Sequence, residues 1–357
     1  MPAPLLAIQD LVVRFATEQG DLTAVDGVSL EVPAASTVAL VGESGCGKSV
    51  TALSIMRLLP EPPAHIARGR ILFEGRDVLA LRPRQLRELR GARISMVFQD
   101  PLAALHPLYP VGAQLSEAFR LHLPIGRSEA KRRAVELLAR VGFPEPARRY
   151  RDYPHELSGG MRQRVMIAIA LACKPALLIA DEPTTALDML AAREVTALLG
   201  ELRRELDMAL LLISHDIGLV AEIADRIAVL YAGQVVEHAP AKQLLDTPRH
   251  PYTQALLGSL PPRRLRQRRR RLTPTRLPSL AGTVPDLGRR PEGCRFSDRC
   301  PVAIDRCHRD VPELTTLSRP GAEPAQARCF LVEPGPAAEA APSSGARPDA
   351  REAGSGS

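Results

Sequence analysis

Gly42-Glu43-Ser44-Gly45-Cys46-Gly47-Lys48-Ser49 decides the architecture of this chain. The stretch matches G-x-x-x-x-G-K-[ST]. It stands between an apolar run ending at Val41 and a stretch of helical character from Lys48 to Leu59. Glycines let the backbone curl until its N–H groups face one point, and the helix that follows adds partial positive charge there. On this pattern Lys48 reaches the β- and γ-phosphates of a nucleotide and Ser49 coordinates Mg²⁺. The bland alternative is a glycine turn without a ligand, and the strand before it and helix after it weigh against that. The candidate phosphate-binding residues are therefore Gly42, Ser44, Gly45, Cys46, Gly47, Lys48 and Ser49. Cys46 reads as a small loop residue rather than a reactive thiol.

A second element completes the chemistry. Leu177-Leu178-Ile179-Ala180-Asp181-Glu182 is an apolar run that ends in two carboxylates. Asp181 at a buried strand end suits Mg²⁺. Glu182 is placed to orient or deprotonate an attacking water, help that typically contributes about 10² to 10⁴ in rate. Without the phosphate loop the same run could be a strand followed by an ordinary acidic turn.

Outward from these two elements, strands and helices alternate. Leu6 to Phe15 reads as strand, and Val28 to Val41 as strand broken near Pro33 to Ser36. Arg70 to Phe73 and Ile94 to Phe98 read as strands with a polar helix between them. Val111 to Val141 is mostly helical, with turns at Pro124 to Gly126, and Leu190 to Leu206 is the clearest helix. Leu177 to Ala180 and Leu210 to Ile213 are short, wholly apolar runs of the kind found at the centre of parallel sheets. The pattern predicts an α/β fold with a parallel sheet, whose ligands bind at the carboxyl ends of the strands.

Composition sets limits. The chain has 357 residues, 45% hydrophobic and 24% charged, ordinary values for a globular protein able to bury a core without disulfide staples. Aromatics make up 3%, with no Trp, so a nucleic-acid surface built on base stacking is poorly supplied. The net charge of +7 favours anionic partners without choosing among them. No apolar stretch approaches the roughly 20 residues needed to span a bilayer. Met1 to Gln9 does not read as a secretion signal, so a cytoplasmic location is expected and structural disulfides are not. Arg263 to Arg271 is a basic run without interleaved aromatics. It reads as a solvated loop, with contact to anionic lipid headgroups as the alternative.

Further motifs resemble those of one family, the ATPases of ABC transporters. Leu157-Ser158-Gly159-Gly160-Met161-Arg162-Gln163-Arg164 looks like the family's signature sequence, and Asp181 to Asp188 like its acidic strand end and D-loop. Phe98-Gln99-Asp100-Pro101 resembles its Q-loop and Ile213-Ser214-His215-Asp216 its switch histidine. Phe15 falls where the family places an aromatic against adenine, although it could be core. The resemblance covers residues 1 to about 250. It implies a P-loop (RecA-like) nucleotide-binding core, with a helical insert at about 111–175, in which two ATPase subunits close around two ATP molecules. Ser158, Gly159 and Gly160 would then act in trans, on ATP held by the partner subunit's phosphate loop, and Asp188 of the D-loop would be a further nucleotide-binding residue. His215 would meet the γ-phosphate, and Gln99 would meet Mg²⁺ and the water. Glu182, His215 and Gln99 are the implied catalytic residues, and Ser49, Gln99 and Asp181 the Mg²⁺ residues.

After about His250 the character changes. His250 to Leu257 and Gly293 to Pro301 resemble the ATPases of oligopeptide and dipeptide importers, as does Tyr153 to Glu156 before the signature. His106 stands where that subfamily usually has Asn. An irregular extension at 251–333 and a disordered tail at 334–357 are expected. Cys294, Cys300, Cys307 and Cys329 are spaced C-x5-C-x6-C-x21-C. Four thiolates can hold zinc or an iron–sulfur cluster, and the spacing lacks the usual zinc knuckles. Family resemblance suggests a [4Fe–4S] cluster, and four reduced, unliganded thiols are the alternative.

The implied function is ATP hydrolysis that powers di- or oligopeptide uptake at the cytoplasmic face of the inner membrane. The implied partners are a second, related ATPase subunit, two transmembrane permeases and an extracytoplasmic binding protein. Nickel, glutathione or another small solute is the alternative cargo. A nucleic-acid ATPase and an ATP-clamped binding module are the rivals of other classes.

Overall fold

A computed structural model describes residues 3–18, 20–259, 282–317 and 323–332. The arginine run Arg263–Arg271 and the tail at 334–357 lie outside the described residues.

The strands are β1 (Leu6–Thr17), β2 (Gly20–Val32), β3 (Thr37–Val41), β4 (Ala64–Phe73), β5 (Arg76–Asp77) and β6 (Ile94–Val97). They continue with β7 (Leu177–Asp181), β8 (Ala209–Ser214), β9 (Arg226–Tyr231), β10 (Gln234–Pro240), β11 (Thr315–Leu317) and β12 (Ala325–Ala327). They form two sheets. One is antiparallel with order β2-β1-β4-β5, and the other has order β11-β12-β10-β9-β3-β8-β7-β6. Within the second, β9, β3, β8, β7 and β6 are parallel neighbours, as the apolar runs predict.

Those runs are apolar on both sides because each side meets a different core. Side chains alternate across a strand. Val38 and Leu40, Ile179, and Leu211 and Ile213 share one core with the antiparallel sheet and the helix Lys48–Ile55. Ala39 and Val41, Leu178 and Ala180, and Leu210 and Leu212 share the other with the helices Val111–His122, Arg127–Arg140 and Gly159–Leu171. The first core seats the phosphate loop's helix, and the second ties the helical insert to the sheet.

The extension is less irregular than its composition suggests. β12 pairs antiparallel with β10 through Glu237↔Ala327 and His238↔Gln326, and β11 pairs with β12. Residues beyond 310 thus lengthen the main sheet. Proline, arginine and glycine hide this in the sequence, because two three-residue strands carry no readable period. Among the described residues, no helix is long and apolar enough to cross a membrane.

Candidate functional site: a phosphate loop facing an acidic strand end

The loop from Gly42 to Gly47 joins the carboxyl end of β3 to the helix Lys48–Ile55. Two glycines there are required by geometry. A Cβ on Gly42 would lie 2.2 Å from the Leu230 carbonyl oxygen of β9. Gly47 has φ 106°, and its Cβ would lie 2.7 Å from the Ala24 carbonyl oxygen. Any side chain at either position would push the loop off its neighbours. Ser44 and Gly45 are exposed at the loop's tip, whereas Cys46 is buried. Burial pushes the Cys46 thiol up to about 11, against the pull of Lys48, which favours the protonated thiol over the reactive thiolate.

The loop folds Lys48 inward. Its Nζ donates to the carbonyl oxygens of Gly42 at 2.9 Å and Glu43 at 3.0 Å, and lies 3.4 Å from Glu182 Oε1. The Ser49 hydroxyl donates to Asp181 Oδ1 at 3.0 Å, so residues 132 positions apart meet at the strand ends. Burial raises the Asp181 carboxyl above the usual range, with Ser49 pulling the other way. A buried carboxylate beside a hydroxyl offers hard oxygen donors to a cation whose charge would offset that desolvation. The two residues fit Mg²⁺.

Glu182 is the hub. It follows β7 with φ 45°, a left-handed conformation that non-glycine residues adopt rarely and that is held here by its own N–H donating to the Ile213 carbonyl at 2.9 Å. Its Oε2 accepts from Thr185 Oγ1 at 2.8 Å and from Gln99 Nε2 at 3.4 Å, and lies 3.3 Å from His215 Nδ1. Burial opposes its ionisation. The Thr185 hydroxyl, Lys48 and His215 outweigh burial and hold the carboxyl below the ordinary range. Glu182 is therefore a carboxylate at neutral pH. Four of the candidate residues, Lys48, Gln99, Glu182 and His215, converge on this point. Thr185 is a fifth participant that sequence reasoning missed, and its place three residues after Glu182 is the signal that could have found it.

The remaining candidates lie elsewhere. Ser158 caps the helix Gly159–Leu171, its Oγ accepting from the Met161 N–H at 3.4 Å. Asp188 caps the helix Met189–Leu206, its Oδ1 accepting from the N–H groups of Leu190 at 2.9 Å and Ala191 at 3.0 Å. The position a Cβ on Gly159 would take is 3.6 Å from Leu187, so signature and D-loop are neighbours. Among the described residues, none of the bonds around the phosphate loop involves Ser158, Gly159, Gly160 or Asp188. Phe15 is half-buried on β1, opposite Leu22 and Ala64, and packs at the edge of the core shared with the antiparallel sheet.

The four C-terminal cysteines are free thiols that line one small cavity, with His250, Phe296 and Phe330 among its walls. Burial pushes Cys294 up to about 11 and also raises Cys300 and Cys329. Among the described residues, no group of three or more His, Cys, Asp or Glu side chains is arranged as a metal site.

A phosphate-binding loop set against a magnesium-suited Ser–Asp pair and an ionised carboxylate at the strand ends defines a nucleotide triphosphatase of the P-loop class. Comparison with known proteins narrows this. Residues 25–185 match the ABC transporter family, and residues 236–307 match the C-terminal region of oligopeptide/dipeptide transporters. A probable peptide ABC transporter ATP-binding protein of Sinorhizobium fredii is 47% identical over 317 residues, 89% of this chain and 92% of that one. The dipeptide transport ATP-binding proteins DppD of Bacillus subtilis and Escherichia coli are each 47% identical over 314 residues. That span is 88% of this chain and 92% and 94% of theirs. Among solved structures, a dimeric post-hydrolysis ATP-binding cassette, MJ0796, bound to ADP and phosphate superposes with a TM-score of 0.60. It is 26% identical, over 66% of this chain and 98% of that one. The chain belongs to the ATP-binding subunits of ABC transporters and is an ATP hydrolase.

Proposed function

We propose that this chain is the subunit of an ABC importer that hydrolyses ATP to drive di- and oligopeptides across the bacterial inner membrane. The observation that carries the reading is the conjunction of the Glu182-centred site with a C-terminal region matched to oligopeptide/dipeptide transporters. Relatives named for peptide and dipeptide transport support it along nearly the whole chain.

In this reading residues 1–250 are the ATPase domain, with the helical insert at about 111–175, and 251–333 form the importer-type extension. Lys48 grips the terminal phosphates of ATP, with the N–H groups of Gly45, Gly47 and the neighbouring loop residues. Ser49 and Asp181, with Gln99, would hold Mg²⁺. The ion supplies charge neutralisation at the phosphate oxygens. Glu182 orients the attacking water and takes its proton. Thr185 helps hold the Glu182 carboxyl below the ordinary range, and His215 donates to the γ-phosphate. Phe15 stacks on adenine. Ser158, Gly159, Gly160 and Asp188 complete the site of a second, related ATPase subunit. Phe98, Leu102, Leu108 and Tyr109, within ten residues of Gln99 in sequence, expose apolar surface, which suits docking of two permease subunits. The chain then sits on the cytoplasmic face of the membrane, with an extracytoplasmic binding protein delivering the cargo.

We further infer that Cys294, Cys300, Cys307 and Cys329 hold a [4Fe–4S] cluster. Their placement around one cavity supports this, and ligation requires the thiols to lose their protons, which burial opposes at Cys294, Cys300 and Cys329. The cluster would cross-link the segment at 294–307 to Cys329. Anaerobic purification with iron and sulfide assays tests it. About four irons and four sulfides per chain are expected, and a colourless protein, with or without zinc, contradicts it.

The function itself is tested by ATP hydrolysis of the complex co-purified with permeases and binding protein. Stimulation by di- or oligopeptides is expected. Stimulation by nickel or glutathione instead, or indifference to all three, contradicts peptide import.

A further inference from the structure

The C-terminal extension reaches back to the nucleotide end of the core through three arginines. Arg290 donates to the Thr23 carbonyl of β2. Arg295 donates to Asp26 at 3.0 Å, and Gln234 of β10 donates to the same carboxylate at 3.0 Å. Arg299, adjacent to Cys300, goes furthest. Its Nη1 and Nη2 each donate to one carboxylate oxygen of Glu43 at 3.1 Å, a bidentate pair across 256 residues of sequence. The Arg299 side chain is only 8% exposed. Glu43 is the second residue of the phosphate loop. Its backbone N–H donates at 3.0 Å to the hydroxyl of Tyr252, which is fully buried in the helix Pro251–Gly258.

Tyr252 and Arg299 are themselves fixed. Tyr231, Tyr252 and Phe296 pack pairwise with ring centroids 4.6 to 5.4 Å apart, and Arg299 lies over the Tyr231 ring with Nη1 3.3 Å from its hydroxyl. Both the backbone and the side chain of Glu43 are therefore held from outside the ATPase core, by residues on rigid packed elements. A bidentate guanidinium–carboxylate pair fixes direction as well as distance. Lys48 holds the Glu43 carbonyl from within the core at 3.0 Å, and the extension adds two further ties to the same residue, at its N–H and its carboxylate.

We propose that Arg299 and Tyr252 are positioning residues for ATP: they fix Glu43, and through it the phosphate loop, so that the C-terminal extension sets nucleotide affinity. Neither touches the reacting atoms. The proposal takes ATP binding at the phosphate loop as given and does not depend on what the four thiols hold. It assigns the extension a part in the ATPase cycle in addition to any role against partner subunits.

The test uses the full chain, a fluorescent ATP analogue with Mg²⁺, and steady-state hydrolysis of the transporter complex. Tyr252→Phe, Arg299→Met and Glu43→Gln should each weaken nucleotide binding about three- to tenfold, the range of one or two hydrogen bonds. KM for ATP should rise by a similar factor with kcat within about twofold, because the reacting groups are untouched. Arg299→Lys should recover only part of the loss, since an ammonium cannot reproduce the fork. The double variant Glu43→Gln/Arg299→Met should bind no worse than its weaker parent. Unchanged affinity in the single variants, or strictly additive losses in the double variant, overturns the proposal. Should Arg299→Met fail to fold, Tyr252→Phe removes a single oxygen and decides alone. Faster amide exchange of residues 43–47 in that variant with weakened binding supports the proposal, and neither change overturns it.

Discussion

The ammonium of Lys48 lies 3.4 Å from a carboxylate oxygen of Glu182, and both side chains are buried. The pair brings the group that grips phosphate to the group that handles water. Glu182→Gln preserves shape and burial while removing the charge and the proton acceptor. Hydrolysis should fall at least about a hundredfold, the lower bound of general-base help, while nucleotide binding persists. Single-turnover kinetics alongside a nucleotide titration measure both. Unaltered turnover refutes the role of Glu182.

Thr185 predicts a pH effect. Its hydroxyl donates to Glu182 at 2.8 Å and helps hold the carboxyl below the ordinary range. A base works only when ionised, so the rate should fall as pH drops through that depressed value. Thr185→Val removes one stabiliser of the charged form and raises the carboxyl's pKa. The acid limb of kcat/KM should move to higher pH, with the neutral plateau largely kept. A limb that stays in place contradicts the assignment.

Gly42 predicts a steric effect. An added Cβ would meet the Leu230 carbonyl oxygen at 2.2 Å and Cys46 Sγ at 2.8 Å. Leu230 belongs to β9, paired on both sides in the central sheet, so the loop must yield rather than the strand. Gly42→Ala should lower ATP affinity by about tenfold or more, in keeping with strain of 1–3 kcal/mol, with circular dichroism unchanged. Full affinity in this variant would show that the loop adapts.

How far the sequence could be read follows from the range of the interactions. The phosphate loop, the acidic end of β7 and the helices at 111–122 and 189–206 are local patterns, and each stands where its pattern places it. The split of β3, β7 and β8 between two cores is implicit in their unbroken apolar runs. What escaped is long-range or short in extent. The addition of β11 and β12 to the sheet edge rests on three-residue strands, and the Arg299–Glu43 pair joins residues 256 positions apart. Neither leaves a period or motif: the strands are too short to show one, and the pair depends on Arg299 being set against the packed rings of Tyr231, Tyr252 and Phe296.

His250 predicts a stability effect in the same region. It is wholly buried, and its Nδ1 accepts from the Tyr252 N–H at 3.0 Å. Burial lowers its pKa to about 3, so the fold keeps it neutral. The unfolded chain takes up that proton below its ordinary value near 6.5. Stability is therefore complete above pH 6.5 and declines between there and about 3, by up to about 1.4 kcal/mol per pH unit from this group. His250→Asn keeps an acceptor for the cap. From pH 7.5 to 5 the parent should lose more in its urea midpoint than this variant. Equal losses contradict the buried neutral histidine.

The most direct test of the central claim is uptake of a labelled dipeptide into proteoliposomes. They would carry this chain, its ATPase partner, the two permeases and the binding protein, with ATP supplied on the side of the ATPase subunits. Uptake should require ATP, and it should fall by at least about tenfold when Glu182→Gln replaces the parent, since turnover depends on that carboxylate. Uptake that proceeds without ATP, or at the parent rate with Glu182→Gln, would contradict the account.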